Sequence, residues 1–535
     1  MKNKLSQCVA SAITLLLSTS VTYAFKIDTP DPNLKIRWDN TFKYSSLYRV
    51  SDPDKTPLTS SSDPLFGTGN LNFDSGIASN RLDWVSEFDI RTDSWGARIS
   101  AEAWYDDVYF DMNDNDTGFT NNLSASPNEF TRGAQEAVGR NTRIQDAFIY
   151  IKGDLPGGMP ARVNFGRHTV IYGETLINGS NGIANAQGPV DIIKAASVPA
   201  AKVKEFLLPT HQLSGNIQFS RKLFLDAYYQ FEWEESPFFA SGSFLSPADF
   251  IADDSESFIS APFGGAVPRA GDLQPNESGQ WGFQLRYRPD WFLGVLGVFA
   301  ANYHDKLMTA AYYDPVANTY ARVFQKDIKV YGLSFSTVWG ESSVSFETSI
   351  RDDQPLVGGT ASVQVIPGLI GFFDNSNNPA YALGKTAHAT AVAINVINPN
   401  AFFRDGGSLV FQYDFHTVLD ISKNETNIDP TTSASAHQLT TLLQADYFNV
   451  LSGLDISIPM AITFSTGRSR VYPAWVEDGG TFDLGVKGIY QSVWDVSFNY
   501  RNYFGVHEGT KVGDGEFDQT LWDRDFLSLS VQRAL

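Results

Sequence analysis

The 535-residue sequence predicts an all-β fold, namely a closed antiparallel barrel that crosses a membrane. Three observations predict it: apolar and polar residues alternate with a period of two, the alternating stretches are long enough to cross a bilayer, and aromatic residues stand near their ends. Aromatic residues make up 13% of the chain, which excludes a disordered protein. The net charge of −20 at pH 7 argues against a nucleic-acid partner, because phosphates require a basic surface.

The N-terminal residues 1–24 are predicted to be a secretory signal peptide. Lys2 and Lys4 precede a run of apolar and small residues, and this run is too short to anchor the chain in a membrane. The single cysteine, Cys8, is removed with the signal peptide. Residues 25–535 are therefore expected to form one exported barrel domain without cysteines, which avoids unwanted oxidation in the periplasm.

The alternation is clearest in residues 82–90. Trp84 and Phe88 fall on one face of a strand. Asp83 and Glu87 fall on the other, because successive side chains of a strand point to opposite sides. We expect the aromatic face to contact lipid and the charged face to line the interior. The same pattern recurs in four further segments, residues 36–50, 223–233, 409–416 and 494–501.

A soluble β-sandwich also alternates, so the lengths and connections of the segments decide between the two folds. Several segments run ten residues or more, whereas strands of soluble sheets average about 5–6 residues and about 9–11 tilted residues cross a bilayer. Short polar turns such as Thr92-Asp93-Ser94 alternate with long loops, as in outer-membrane barrels. We therefore predict a transmembrane outer-membrane barrel of about 16 strands, with about 14 to 18 possible, because such barrels have an even count.

Three long insertions interrupt the alternation, at residues 172–210, 236–277 and 352–384. They are rich in Gly, Pro, Asn and Ser, which break strand pairing. Within the first, residues 189–208 are predicted to form one or two short helices. Two interpretations of this first insertion stay open: an ordered surface loop, or a constriction or plug inside the lumen. Its many apolar residues motivate the hypothesis that it folds into the lumen and controls passage.

Charged residues concentrate around the first insertion. The candidate lumen and gate residues are Arg167, His168, Glu174, Asp191, Lys194, Lys204 and Glu205. One interpretation is a set of salt bridges that fixes the insertion to the barrel wall. The other is a gate, or a site that orients the substrate.

The sequence carries no recognisable catalytic or metal-binding motif. Its seven histidines are far apart, so none form the i, i+4 pair of a helical zinc site. A G-x-S-x-G nucleophile elbow is missing as well. A hydrolase would have to pair His416 with a Ser or Asp of a neighbouring strand. We predict instead that the protein is not an enzyme and uses neither a metal nor a cofactor.

Several short motifs occur in a characteristic order. They include Trp38-Asp39-Asn40-Thr41, Ala103-Trp104-Tyr105-Asp106, Gly166-Arg167-His168, Tyr172-Gly173-Glu174 and Val203-Lys204-Glu205-Phe206. Over residues 36–250 this series resembles the proteobacterial outer-membrane family labelled domain of unknown function 1302. Two positions depart from the usual pattern: Tyr172 stands where a tryptophan is common, and the chain ends on Leu535 where barrels usually end on Phe.

The resemblance implies an outer-membrane barrel of a Gram-negative cell. It also implies possible protein partners, a periplasmic companion protein and an inner-membrane exporter of the RND superfamily, beside outer-membrane lipids and a hydrophobic small-molecule or lipid cargo. Two functional classes follow. The first is the passage or handling of small hydrophobic or amphipathic molecules, lipid- or steroid-like, across the outer membrane. The second is a plugged barrel that docks the partners of an envelope-spanning lipid-transport assembly.

Overall fold

The computed structural model describes most of the chain. The described residues are 25–53, 68–118, 120–199, 201–260, 265–356, 364–367, 372–472, 474–506 and 519–535. The predicted signal peptide, residues 1–24, lies outside them, as do parts of the second and third insertions.

The described residues contain 24 strands, numbered here in chain order. They are Phe25–Ile27 (β1), Lys35–Arg49 (β2), Gly76–Arg91 (β3), Trp95–Asp106 (β4), Arg140–Leu155 (β5), Met159–His168 (β6), Thr210–Gln218 (β7), Leu223–Gln230 (β8), Ser257–Ser260 (β9), Gly265–Leu273 (β10), Trp281–Tyr287 (β11), Gly294–Tyr303 (β12), Ala310–Asp314 (β13), Thr319–Val323 (β14), Ile328–Trp339 (β15), Ser342–Leu356 (β16), Gln364–Pro367 (β17), Ala382–Ile397 (β18), Gly407–Lys423 (β19), Ser435–Leu451 (β20), Leu454–Thr466 (β21), Gly479–Tyr490 (β22), Trp494–Phe504 (β23) and Phe526–Ala534 (β24).

Eighteen of these strands form a closed antiparallel barrel, and β1 adds a short pairing to the start of β2. The ring closes where β24 pairs with β2, from Thr41 opposite Ala534 to Arg49 opposite Phe526. The barrel thus has 18 strands and not about 16. The difference arises because its shortest strands, such as the seven-residue β11, are too brief to stand out by alternation alone.

The two faces of the wall differ as the alternation predicts. Trp84 is 43% exposed on the outer face, whereas the adjacent Asp83 is 3% exposed and lies on the inner face. The same contrast recurs around the barrel, with apolar side chains outside and buried polar side chains inside. A closed wall satisfies its backbone hydrogen bonds internally, which a lipid environment requires.

The two ends of the barrel also differ. At one end, the turn end, eight connections of two to nine residues join the barrel strands. At the other, the loop end, nine connections contain eleven to fifty residues each. This asymmetry is the one predicted from the short turns and long loops of the sequence.

Three loop-end connections build a second sheet that the sequence analysis did not predict. Its strands pair in the order β17, β13, β14, β10 and β9. The second and third insertions, assigned from sequence as irregular segments, supply three of them, and the connection between β12 and β15 supplies the β13–β14 hairpin. These strands have four to nine residues. The pairings of β10 with β14 and of β13 with β17 join separate loops, so no local pattern reveals the complete sheet.

The first insertion contains the two short helices expected from the sequence, Ile192–Ser197 and Val203–Phe206. Asp191 caps the first helix by accepting a hydrogen bond from the amide of Lys194. The other short helices are Thr68–Asn70, Asp107–Phe110, Arg132–Ala134, Gln135–Gly139, Ile183–Ala186, Asp249–Ile251 and Glu425–Asn427. In the part of the chain that the structure describes, no helix is both long and apolar enough to cross a membrane.

Candidate lumen gate

The first insertion contacts buried side chains on two parts of the barrel wall. Residues 172–183 contact the inner face of β16 and β18–β20, and residues 191–205 contact the inner face of β2–β5. The insertion starts from β6, which lies eight strands from β19 in the ring of 18 and thus almost opposite to it. The insertion therefore contacts strands on opposite sides of the ring.

Glu347 of β16 holds the first part of the insertion by three hydrogen bonds. The amides of Glu174 and Ile183 donate to its carboxylate at 2.6 and 2.8 Å, and the Thr175 hydroxyl donates at 2.7 Å. Gly173 precedes this contact with a φ of 98°, a conformation that residues with a Cβ rarely adopt. A Cβ at Gly173 would also lie 2.7 Å from Glu347 Oε2, so the close approach requires glycine.

Arg351, further along the same strand, binds the tip of the insertion. Its Nη2 donates to the carbonyl oxygens of Ser180, Asn181 and Gly182 at 3.0, 2.9 and 2.9 Å. The Asn181 side chain is also buried, and its Nδ2 donates to the carbonyl of Ala389 on β18 at 3.1 Å. One guanidinium that binds three consecutive carbonyls gives the tip a single position against β16.

An ion-pair network joins the first helix to the opposite wall. Lys194 pairs with Glu102 of β4. Arg143 of β5 binds the other oxygen of Glu102 at 2.6 Å and also reaches Asp191 at 2.5 Å. Lys194, Glu102 and Asp191 are buried. Removing one partner of a buried network leaves an uncompensated charge, at a cost of about 3–5 kcal/mol, so these four residues fix the helix to the wall.

The second helix makes two further ion pairs with the same wall. Glu205 accepts from Lys43 Nζ of β2 at 3.0 Å, and both side chains are buried. Lys204 Nζ lies 2.6 Å from Glu87 of β3, which also pairs with Arg98 of β4. Consecutive residues of this helix therefore bind different strands of the wall.

Trp104, on the inner face of β4, is surrounded by cations of this network. The guanidinium carbons of Arg81 and Arg143 lie 4.9 and 5.5 Å from its ring centroid, and Lys194 Nζ lies 5.8 Å away. Such contacts are attractive because the ring face is negative. The sequence analysis did not select Glu102, Arg143 or Trp104 as site residues. The alternation of β4 nonetheless places Glu102 and Trp104 on the same inner face.

Six of the seven predicted site residues lie at three places. Four of them meet the β2–β5 wall, namely Asp191, Lys194, Lys204 and Glu205. Glu174 contacts two strands: its amide donates to Glu347 of β16, and its Oε1 accepts from the Ser334 hydroxyl of β15 at 3.3 Å. His168 faces the interior, and its Nε2 lies 2.6 Å from Ser214 Oγ.

Arg167 lies near the end of β6 and is 9% exposed. Its guanidinium binds two carboxylates of the connection that follows β8, Glu232 at 2.9 Å and Glu234 at 2.6 Å. Adjacent side chains of a strand point to opposite sides, so Arg167 and His168 have separate sets of partners.

Two cavities flank the Lys194–Glu102–Arg143–Asp191 network. The loop-side cavity, of about 430 Å³, is lined by Trp104, Arg143, Asp191 and Lys194 together with loop-end residues. The turn-side cavity, of about 510 Å³, is lined by Glu102, by residues 203–205 and by the inner faces of β3–β6. The network therefore separates two spaces along the barrel axis.

His416 does find a serine on a neighbouring segment, as a hydrolase would require. Its Nε2 lies 2.8 Å from Ser469 Oγ. That oxygen already accepts hydrogen bonds from the amides of Val471 and Tyr472, at 3.1 and 2.7 Å, and both His416 and Ser469 are completely buried. The serine thus stabilises a turn and borders neither of the two cavities described above.

Three carboxylates form a cluster at the loop end, of the kind that can bind a metal ion. Oxygen atoms of Glu235, Asp253 and Asp272 lie within 4.8 Å of one another. Arg322 donates to these three carboxylates at 2.7, 3.0 and 2.8 Å, so a protein cation already occupies the centre of the cluster. Burial raises the pKa of Glu235 to about 7, and Arg322 opposes this shift.

Comparison with known proteins identifies the family. A family model described as "Protein of unknown function (DUF1302)" matches residues 5–535. The chain belongs to the DUF1302 family. No curated protein matches this DUF1302 chain.

Solved structures of three barrels are similar to the DUF1302 chain. The Acinetobacter baumannii protein OccAB4 is 9% identical with a TM-score of 0.44, and the alignment covers 95% of this chain and 100% of that one. Pseudomonas aeruginosa OccK2 (OpdF), in complex with glucuronate, is 10% identical with a TM-score of 0.39 and coverages of 94% and 98%. Pseudomonas aeruginosa OpdK with vanillate is 9% identical with a TM-score of 0.40 and the same coverages.

Proposed function

We propose that this DUF1302 protein is an outer-membrane channel for small amphipathic molecules, with the first insertion as its constriction. The observation that carries the proposal is the attachment of the insertion to both walls of the lumen. A closed wall with an apolar outer face and a polar interior is the arrangement of bacterial outer-membrane barrels, which supports that location. The predicted signal peptide would direct the chain there.

The network of Lys194, Glu102, Arg143 and Asp191 is the proposed gate, because it stands between the two cavities. A molecule that moves between the cavities has to pass these charges. Apolar side chains of the insertion, such as Val203 and Leu207, face the same space, which supports a lipid- or steroid-like cargo with a polar group.

Replacing residues 189–208 by a short Gly-Ser linker tests the constriction. We expect a folded barrel with a higher single-channel conductance and a changed flux of amphipathic solutes into liposomes. The control is the same linker inserted into the exposed turn Gly340-Glu341, far from the insertion in the sequence. A folded variant with unchanged conductance and flux would contradict the proposal and identify the insertion as structural only.

The variant Glu102→Gln tests the proposed gate at a single residue. It removes the shared partner of Lys194 and Arg143, so we expect the anion-to-cation permeability ratio to rise several-fold. Glu341→Gln, which removes an equal charge from a turn-end connection, is the matched control and should leave the ratio unchanged. Equal anion-to-cation permeability ratios in the two variants would show that the network does not lie on the conduction path.

The second functional class, a plugged barrel that docks a periplasmic companion and an RND exporter, predicts other results in these assays. The wild-type barrel would then be closed, and Glu102→Gln would leave conductance and flux unchanged. Copurification of the two partners with the intact barrel would support this class.

A further inference from the structure

The turn-side cavity is large enough for a small ligand. Its volume is about 510 Å³, and it lies between residues 203–209 of the insertion and the inner faces of β3–β6. Ligand sites in proteins commonly enclose about 300–1,000 Å³. The side chains that line it determine which kind of ligand it accepts.

The carboxylates of this cavity already have basic partners. Glu87, Glu102, Asp146 and Glu205 each form an ion pair with a lysine or an arginine. The negative charge of each of these four carboxylates is therefore compensated by a basic side chain. The cavity is thus not prepared for a cationic ligand.

Arg162 of β6, in contrast, has no carboxylate within 4 Å among the residues that the structure describes. Its Nε donates to Asn164 Oδ1 at 2.7 Å, and its guanidinium carbon lies 3.9 Å from the ring centroid of Tyr150. These two contacts hold the guanidinium in place. Its two terminal nitrogens donate to no protein atom of the described chain, so they are available to an anion.

Gln145 of β5 supplies a second, independent indication. It is 7% exposed and lines the cavity, and neither its amide nitrogen nor its amide oxygen has a hydrogen-bonding partner among the described residues. A buried amide without partners is unfavourable. A ligand group that both donates and accepts, such as a hydroxyl, would satisfy it.

The insertion adds an apolar surface to the same cavity. Ile171 is 60% exposed and Val203 is 53% exposed, and both line the cavity. Phe148 and Leu207 line the cavity beside them. Apolar side chains that face an aqueous interior indicate contact with an apolar part of a ligand.

We infer that the turn-side cavity binds a small molecule with one carboxylate and an apolar body. The carboxylate binds the two free nitrogens of Arg162, the apolar body packs on Ile171 and Val203, and a polar substituent binds the Gln145 amide. This inference rests on the proposed channel function, because it names the class of molecule that the channel would pass.

Equilibrium binding to the full-length barrel in nanodiscs tests the inference. The probe is 4-phenylbutyrate, compared with 4-phenylbutanol and 4-phenylbutylamine, which keep the apolar body and change the head group. We expect saturable binding of 4-phenylbutyrate only. Arg162→Gln should weaken it at least tenfold, whereas Arg162→Lys, which keeps the charge, should retain most of it.

Lys152→Gln is the matched control, because Lys152 lies directly opposite Arg162 on β5 and does not line the cavity. It should change the affinity less than threefold. Equal binding of the three probes, or equal losses in Arg162→Gln and Lys152→Gln, would overturn the inference. If Arg162→Gln does not fold, Val203→Asp should weaken binding of 4-phenylbutyrate instead, and unchanged affinity there would overturn the inference as well. Binding at equilibrium needs no flux, so bound probe without conductance would contradict the channel function and leave the site intact.

Discussion

Adjacent residues of one strand meet different surroundings in this protein, and Trp84 illustrates the outer face. Its ring is exposed on the barrel surface, stacks on Phe42 and donates from Nε1 to Asn40 Oδ1 at 3.1 Å. Trp84→Arg would place a charge among lipid-facing side chains, at a cost of about 2–4 kcal/mol near the bilayer midplane. We expect a lower yield of heat-modifiable barrel, whereas Trp84→Phe should fold normally. Normal folding of Trp84→Arg would mean that this face does not contact lipid.

Asp83, on the inner face, has a different role from the one that the sequence indicates. From sequence alone, Asp83→Asn should be nearly neutral for folding. In the structure Asp83 is buried and pairs with Arg81 at 2.8 Å, and Lys194 Nζ lies 4.0 Å away. We therefore expect Asp83→Asn to leave the barrel closed but to loosen the attachment of the insertion.

Gly182 gives a steric test of how the insertion is attached. A Cβ at this position would lie 2.0 Å from Thr175 Oγ1 and 2.6 Å from Glu347 Oε1, although its φ of −83° suits any residue. Gly182→Ala should therefore displace the tip and raise both conductance and protease cleavage within residues 172–187. Gly179→Ala is the control, since its nearest neighbour would be 4.0 Å away. Identical cleavage of the two variants would show that the tip tolerates displacement.

The stability of the second sheet, at the loop end, depends on the buried carboxyl of Glu235. Burial raises the pKa of Glu235 to about 7 from an ordinary 4.5, so the folded sheet holds a proton that the unfolded loop releases. This contribution is fully present below pH 4.5 and is lost as the pH rises to 7. We expect the sheet to lose about 1–3 kcal/mol over this range.

Hydrogen exchange in β10 and β14, corrected for the intrinsic rate at each pH, measures this loss. Glu235→Gln should flatten the dependence between pH 5 and 7.5, because the glutamine does not titrate. Glu341→Gln should keep the wild-type slope. A wild-type sheet whose protection rises with pH would contradict the sign of the prediction.

The whole barrel depends on its closing seam. β24 pairs with both β23 and β2, and backbone hydrogen bonds of 3.1 and 2.7 Å between Asn40 and Leu535 extend the seam to the last residue. Deleting residues 526–535 would leave the edges of β23 and β2 unpaired. Each unpaired polar backbone group in lipid costs several kcal/mol, so a few such groups together outweigh the whole stability of the fold. We expect no heat-modifiable, protease-resistant barrel from this variant.

Removal of Leu535 alone is the control for the seam, because it removes only the last two backbone bonds and leaves the register from Thr41 to Arg49 intact. This shorter variant should fold. A protease-resistant barrel from the ten-residue deletion would mean that closure does not require β24.

The sequence by itself determined the all-β fold, the closed wall, the orientation of its faces and the difference between its two ends. These properties depend on alternation and connection length, which are local. The two helices of the insertion were predictable for the same reason. The count of 18 strands was not, because the shortest strands carry too few alternations. The second sheet was not predictable either, because the pairings of β10 with β14 and of β13 with β17 join separate loops.

Only the tertiary structure decided how the candidate site is assembled. Lys194 meets Glu102 across 92 positions of sequence, and Ile183 meets Glu347 across 164. Nothing in the neighbouring sequence indicates which residue a charged side chain of an insertion will pair with. The sequence therefore predicted charges near the lumen but not their pairing. The partners become definite only when closure of the ring brings opposite walls within reach of one segment.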